Sequence, residues 1–219
     1  MTCKCGGRCV LCGREHIPGK TSANTADRLV SDFRVYDDRW VISLCADCNY
    51  LKFTADPGEF LDKTIHIVRN RRSLYHLCED VTCDNDLAHL VGQEPDYNLN
   101  PAANPTDISW RRKGSVANLE SIIPHLRVTL MTACCKYCNE PWPDTLDRHD
   151  STKSYPRSLA DGELFPCCLP CNLLLGSRKL RDVLVHMTKI VLYFGQNYDK
   201  NNYVHSMFTT SPLLQFPIQ

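Results

Sequence analysis

Four C-x-x-C pairs, Cys9/Cys12, Cys45/Cys48, Cys135/Cys138 and Cys168/Cys171, constrain this chain more than any other feature. They fall into two sets of four thiols, the ligand count of a closed structural zinc site. The N-terminus lacks the apolar stretch of about 7 to 15 residues expected of a signal peptide, so the thiols are expected to stay reduced in an intracellular compartment, cytoplasm or nucleus. The 14 cysteines are therefore read as metal ligands before disulfides. No apolar run approaches the roughly 18 residues of a membrane span, so no membrane partner is expected.

The neighbours of the pairs repeat. Both halves read C-x-x-C, Asp-Arg, Tyr, C-x-x-C-Asn: Asp27-Arg28, Tyr36 and Cys48-Asn49 in the first, Asp147-Arg148, Tyr155 and Cys171-Asn172 in the second. This is an internal duplication. A helix is expected after each copy. Asp56-Pro57 supplies a cap and first position for one running from Phe60 to about Leu77, and Leu180, Val183, Leu184, Met187 and Val191 form the stripe of the other. Asp62/His66 and Asp182/His186 share an i, i+4 spacing, which reads as a solvated pair or core histidine ahead of a ligand role. The expected class is α+β, with two small zinc-stapled modules at 1–83 and 131–195. Residues 84–130, rich in Pro and Asn, read as a linker with a short helix from Ser115, and 196–219 as a tail.

A unit this small buries too little apolar surface to fold alone, and zinc supplies the missing free energy, about 10 to 16 kcal/mol in zinc-finger peptides near neutral pH. At least two structural zinc ions are expected. A site closed by four thiolates leaves no position for an activated water, so chemistry needs a second metal. Asp147 on the hairpin and Asn172 at the start of the helix offer oxygen ligands suited to magnesium or manganese.

These residues carry a resemblance. "LDRHD" followed by "CCLPCNLLLG" resembles the zinc-bound, treble-clef HNH or His-Me finger endonucleases of the recombination endonuclease VII type, and phage HNH-type proteins with an "LDRxD…GY…N…CC..CN..K" signature. The resemblance covers Cys135 to Gly176, and Cys9 to Lys52 more loosely. It implies a ββα-metal fold, metal-dependent cleavage of DNA, Asp147 and Asn172 on the catalytic metal, and the cysteines of both sets on zinc. The chain departs from that pattern where the family's base should stand, because the residue after Asp147 is Arg148, which keeps its proton at neutral pH. His149 is the substitute candidate, on the face of Asp147 by strand alternation. The first copy, with Leu29 and Val30 after Asp27-Arg28, is expected to be non-catalytic.

Cys3, Cys5, Cys78 and Cys83 remain, either a third zinc set or ordinary free cysteines. Cys134 and Cys167 read as spectators beside the ligands. Lys+Arg and Asp+Glu balance at 25 each, so nucleic acid has to be met by local patches. Arg69, Arg71 and Arg72, and Arg111, Arg112 and Lys113 beside Trp110, are the candidates, against a solvated face. Trp40 and Trp142 are expected to pack on the hairpins. The reading is a two-module HNH/endonuclease VII-like protein acting on DNA, with Asp147, His149 and Asn172 catalytic. The alternative is a catalytically inactive zinc module that binds nucleic acid, RNA included, or serves as a scaffold.

Overall fold

Short β-rich stretches precede the distal cysteine pair of each copy and become two hairpins. The computed structural model describes residues 7–15, 25–28, 41–53, 55, 57–93, 99, 130–149, 158, 162–176 and 178–197. Strand β1 (Thr25–Arg28) pairs antiparallel with β2 (Val41–Leu44), and the chain turns straight into helix α1 (Ala46–Lys52). Helices α2 (Pro57–Arg69) and α3 (Asp84–Gly92) follow. The second copy repeats the order, with β3 (Thr145–Arg148) against β4 (Leu164–Cys167) and then α4 (Leu169–Leu175), before the long helix α5 (Leu180–Asn197). The class is α+β, as expected. The chain divides into two compact units, residues 1–100 with 181–219, and residues 101–180. No helix among the described residues is long and apolar enough to cross a membrane.

Helix α2 starts at Pro57, whose missing N–H costs nothing at a first helical position. It buries Phe60, Thr64, Ile67 and Val68 on one face. It stops at Arg69, short of the expected Leu77. Asn70 leaves helical geometry at ψ 3°, and the chain continues as 3-10 turns over Arg71–Ser73 and Tyr75–Leu77.

Asp84, at the first turn of α3, gathers this segment. Its carboxylate receives the Nε and a terminal nitrogen of Arg71 at 2.9 and 3.1 Å, the Arg72 guanidinium at 2.7 Å and the Tyr75 hydroxyl. These bonds tie the 3-10 turns to the start of α3. Arg71, 4% exposed, also donates to the Val68 carbonyl. Its guanidinium is committed to this network, which corrects its expected role in meeting phosphate.

Burial pushes the Asp84 carboxyl up, but hydrogen bonds from Arg72, Tyr75 and Arg71 outweigh it and hold it down at about 2. That lies below the ordinary value of about 3.9, so Asp84 stabilises the fold fully above roughly pH 4, and the contribution is lost as pH falls through its folded value. Acid titration of Asp84→Asn is expected to lack this stability loss between about pH 4 and pH 2. A parent and variant with parallel acid profiles would remove the network from the account.

Three further expectations need correction. The linker read from Asp84 onward begins instead with α3, whose first turn carries Asp84 and Asp86 to complement the helix dipole while Leu87, Ala88 and Val91 are buried. From Arg181 onward α5 belongs to the unit formed with residues 1–100, although its position in sequence assigns it to the second module. Its stripe is wider than periodicity indicated, because Val185, His186, Thr188 and Leu192 are buried beside Val183, Leu184, Met187 and Val191. Trp142 is 73% exposed and does not pack on its hairpin, where Tyr137 and Leu146 are buried. Trp40, Trp110, the short helix from Ser115 and the tail beyond Asn197 lie outside the described residues, and the first two residues assigned to the tail, 196 and 197, end α5.

Candidate metal centres

Cys9, Cys12, Cys45 and Cys48 converge in one cluster and Cys135, Cys138, Cys168 and Cys171 in another, with the sulfurs of each set all within 4.8 Å of one another. Zn–S bonds of about 2.3 Å in a tetrahedron place sulfurs about 3.8 Å apart. Cys12 and Cys45 stand 3.6 Å apart and Cys138 and Cys168 3.8 Å. Both sets therefore fit zinc, and the described cysteines form no disulfide. Crowding splits the thiols. Hydrogen bonds from Cys12, Cys48 and Cys9 hold Cys45 well below the ordinary thiol range, and those from Cys138, Cys167, Cys168 and Cys171 do the same for Cys135. Burial foremost drives Cys48 up. A divalent cation relieves that conflict by taking all four as thiolates.

The two centres are built by the same local bonds. In each, the first cysteine of the knuckle closes a tight turn: Cys9 N–H donates to Arg14 O and Gly13 N–H to Cys9 O, and likewise Cys135 N–H donates to Glu140 O and Asn139 N–H to Cys135 O. Gly13 and Asn139, at φ 73° and 60°, occupy the left-handed region that Gly and Asn tolerate best. The second knuckle residue ties to the hairpin, Val10 N–H to Ser43 O at 3.0 Å and Lys136 N–H to Pro166 O at 2.9 Å. Each distal pair starts a helix: Cys45 and Cys168 are N-caps, and Cys48 N–H and Cys168 N–H donate to the sulfurs of Cys45 and Cys135 at 3.4 Å. Knuckle, hairpin and helix in this order form a treble clef, made twice.

Asp147 and Asn172 are held by this architecture. The Asp147 carboxyl, 8% exposed, accepts from the Tyr137 hydroxyl at 2.7 Å and from the Arg148 backbone N–H at 2.8 Å. Burial raises its affinity for a proton, with those two bonds opposing. Asn172 donates its side-chain N–H groups to Thr145 Oγ1 and Leu146 O, both at 3.2 Å, pinning α4 to β3. The first copy uses the same positions: Asn49 donates to Thr25 Oγ1 at 2.8 Å, and Asp27 pairs with Lys52 at 3.0 Å. Thr25 and Thr145 donate onward to the carbonyls of Leu44 and Cys167. The threonines were missed in sequence, although "TADR" and "TLDR" carry them at the same place.

Cross-copy comparison shows one exchange. Position for position in the repeat, Lys52 of the first copy corresponds to Leu175 and Leu11 to Tyr137. The first module answers its half-buried aspartate with an ammonium from the helix, and the second its buried one with a phenol from the knuckle.

His149 is exposed at the end of the hairpin, where its N–H continues the ladder to Glu163 O at 3.0 Å. Its ring lies edge-on to Phe165 at 6.0 Å, and Phe165 is the cross-strand partner of Asp147. Asp147 and His149 thus share a face but differ in depth. Among the described residues the groups able to hold a metal are the two tetrads, and Cys78 and Cys83 join neither. Burial pushes the Cys78 thiol up to about 11, while Cys83 is exposed as the N-cap of α3. Cys135 and Cys168 are the clustered members of their adjacent pairs, with Cys134 exposed and Cys167 donating to Cys168 O. Arg69 and Arg72 are exposed, Arg72 on Asp84. Cys3, Cys5, Arg111, Arg112 and Lys113 lie outside the described residues.

The first cluster has partners that its ligand spacing did not announce. Asp47, between Cys45 and Cys48, accepts from Arg14 and from the Leu99 N–H. Burial weakens the Arg14 hold on its proton, but the Cys45 thiolate and Asp47 more than offset this. His186 of α5, fully buried, places Nε2 3.1 Å from Cys48 Sγ. Comparison with models of known protein families, with curated proteins and with solved structures finds no match to this chain.

Proposed function

We propose that this protein is a zinc-stapled, non-catalytic scaffold, two treble-clef modules of HNH-like design that present a binding surface without cutting DNA. One observation carries the reading: Asp147 and Asn172, the residues on which the nuclease resemblance rests, do the same structural work as Asp27 and Asn49 in the copy that lacks a base. An aspartate with both oxygens engaged in a buried site is poorly placed to bind magnesium, which retains several waters and needs open coordination positions. Arg148 in place of the base points the same way. The second module exposes Met131, Trp142 and Leu169, large apolar side chains of the kind that binding surfaces use.

The nuclease reading keeps one observation in its favour, the exposed His149 ring on the face that carries Asp147. Zinc-loaded protein incubated with supercoiled or branched DNA and magnesium or manganese separates the two. No metal-dependent nicking is expected, either from the parent or from His149→Ala. Nicking that Asp147→Ala abolishes at unchanged zinc content would replace the scaffold with an endonuclease centred on Asp147, His149 and Asn172. Activity confined to Arg148→His would instead identify a nuclease design from which the base has been lost.

A further inference from the structure

The first zinc site has a neighbour from the far end of the chain. His186 Nε2 lies 3.1 Å from Cys48 Sγ, across 138 residues of sequence, and both side chains are fully buried. A metal-bound thiolate carries no proton, so the hydrogen in this contact has to come from the imidazole. That sets the tautomer of His186 with its proton on Nε2. The same helix touches the other ligand-bearing segment: a Cβ on Gly13, the residue after Cys12, would sit 2.4 Å from the Tyr193 ring. Helix α5 thus meets the site at both the knuckle and α1.

We propose that His186 is an outer-sphere member of the first zinc site, donating Nε2–H to the Cys48 thiolate, so that metal binding and docking of α5 stabilise one another. The physical need is charge. Zinc with four thiolates carries a net charge of −2, and in a buried setting that charge requires donors. Arg14, held on Asp47, supplies positive charge near Cys45, and His186 supplies a donor at Cys48. The second cluster has a different surround. Cys138 faces the Glu140 carboxyl at 3.5 Å, and Cys168 is partly exposed, so water can serve there where the first site needs protein. His186 is a positioning residue: it acts on the metal through Cys48. The inference needs zinc in the first cluster and is independent of whether the protein cuts DNA.

Outer-shell partners of metal ligands are commonly worth about 10- to 100-fold in metal affinity. In full-length protein challenged with a chromogenic chelator, His186→Leu is expected to release one of its two zinc ions about 10- to 100-fold faster than the parent, with the other rate unchanged. His186→Gln, which keeps an N–H donor, is expected to recover part of the loss. In the cobalt-substituted protein, the thiolate-to-metal charge-transfer band of one site should shift in His186→Leu, which lost packing alone would not do. Unchanged release together with an unchanged spectrum would overturn the proposal. Should His186→Leu fail to fold, the parent protein decides: loaded with NMR-active cadmium, it should show through-bond coupling between the His186 ring N–H proton and one metal ion. A ring proton on Nδ1 alone, or the absence of that coupling, would overturn it equally.

Discussion

Stripping the metal with a strong chelator is expected to unfold the second module completely, with two zinc ions released per chain. Structural zinc sites contribute about 10 to 16 kcal/mol in zinc-finger peptides near neutral pH, against about 5 to 15 kcal/mol of net stability in an ordinary domain. Residues 130–176 bury few large apolar side chains beyond the ligands, chiefly Leu130, Tyr137, Leu146, Leu174 and Leu175. Among the described residues the Asn172 bonds to Thr145 and Leu146 and the Leu169 N–H to Asp144 also join hairpin to helix, and bonds of about 1 kcal/mol each do not replace the metal. The first unit also contains α2, α3 and α5, which bury Phe60, Ile67, Leu87, Val183, Leu184 and Val191. It should lose its hairpin but keep part of its helical signal. Metal analysis with far-ultraviolet circular dichroism during chelation checks both statements. Fewer than two tightly held zinc ions, or a hairpin of the second module that survives chelation, would contradict them.

Lys52→Met is expected to cost about 3 to 5 kcal/mol, because it leaves the Asp27 carboxylate without its cation. The Lys52 side chain is fully buried and its ammonium stands 3.0 Å from Asp27 Oδ2, with a second bond to Ala55 O at 2.9 Å. Breaking such a pair on one side is far more damaging than removing both partners. Asp27→Leu combined with Lys52→Met should therefore be milder than Lys52→Met alone. The second module suggests a sharper rescue: Leu11→Tyr with Lys52→Leu copies the phenol of Tyr137 and the apolar side chain of Leu175. Denaturant unfolding of zinc-loaded variants, fitted as a cycle, measures the coupling. A loss below about 1 kcal/mol in Lys52→Met would mean the pair is solvated in practice.

The exchange between modules also explains how far the chain could be read in advance. Asp27, Asp147, Asn49 and Asn172 stood out as a shared pattern, but pattern alone could not separate a metal ligand from a structural clamp. The difference lies in which atoms face them. Tyr137 and Lys52 sit at unlike positions of the repeat, so no common motif marks them as partners of the same acid. Thr25 and Thr145 were legible in "TADR" and "TLDR". Their role depends on the Asn49 and Asn172 amides that reach them across the hairpin–helix junction, which the fold alone supplies.

Arg71 shows the opposite case. In sequence it is one of three basic residues within "RNRR", and a phosphate-facing cluster is the natural reading. In the fold its guanidinium lies under α2 with Asp84 and the Val68 carbonyl. Charge counts say how many cations a segment has, and only packing says which of them reach solvent.

Sequence alone determined the ligands, the duplication and the knuckle–hairpin–helix order, because zinc demands four thiolates at short local spacings and those spacings are written along the chain. Tertiary structure decided that α5 belongs to the unit formed with residues 1–100, that His186 meets Cys48, and that Asp147 is buried against Tyr137. An apolar stripe states that a helix has a face to bury, without naming the surface that receives it. Choosing that surface is a matter of packing, between segments more than a hundred residues apart for His186 and Cys48 and within one module for Tyr137 and Asp147.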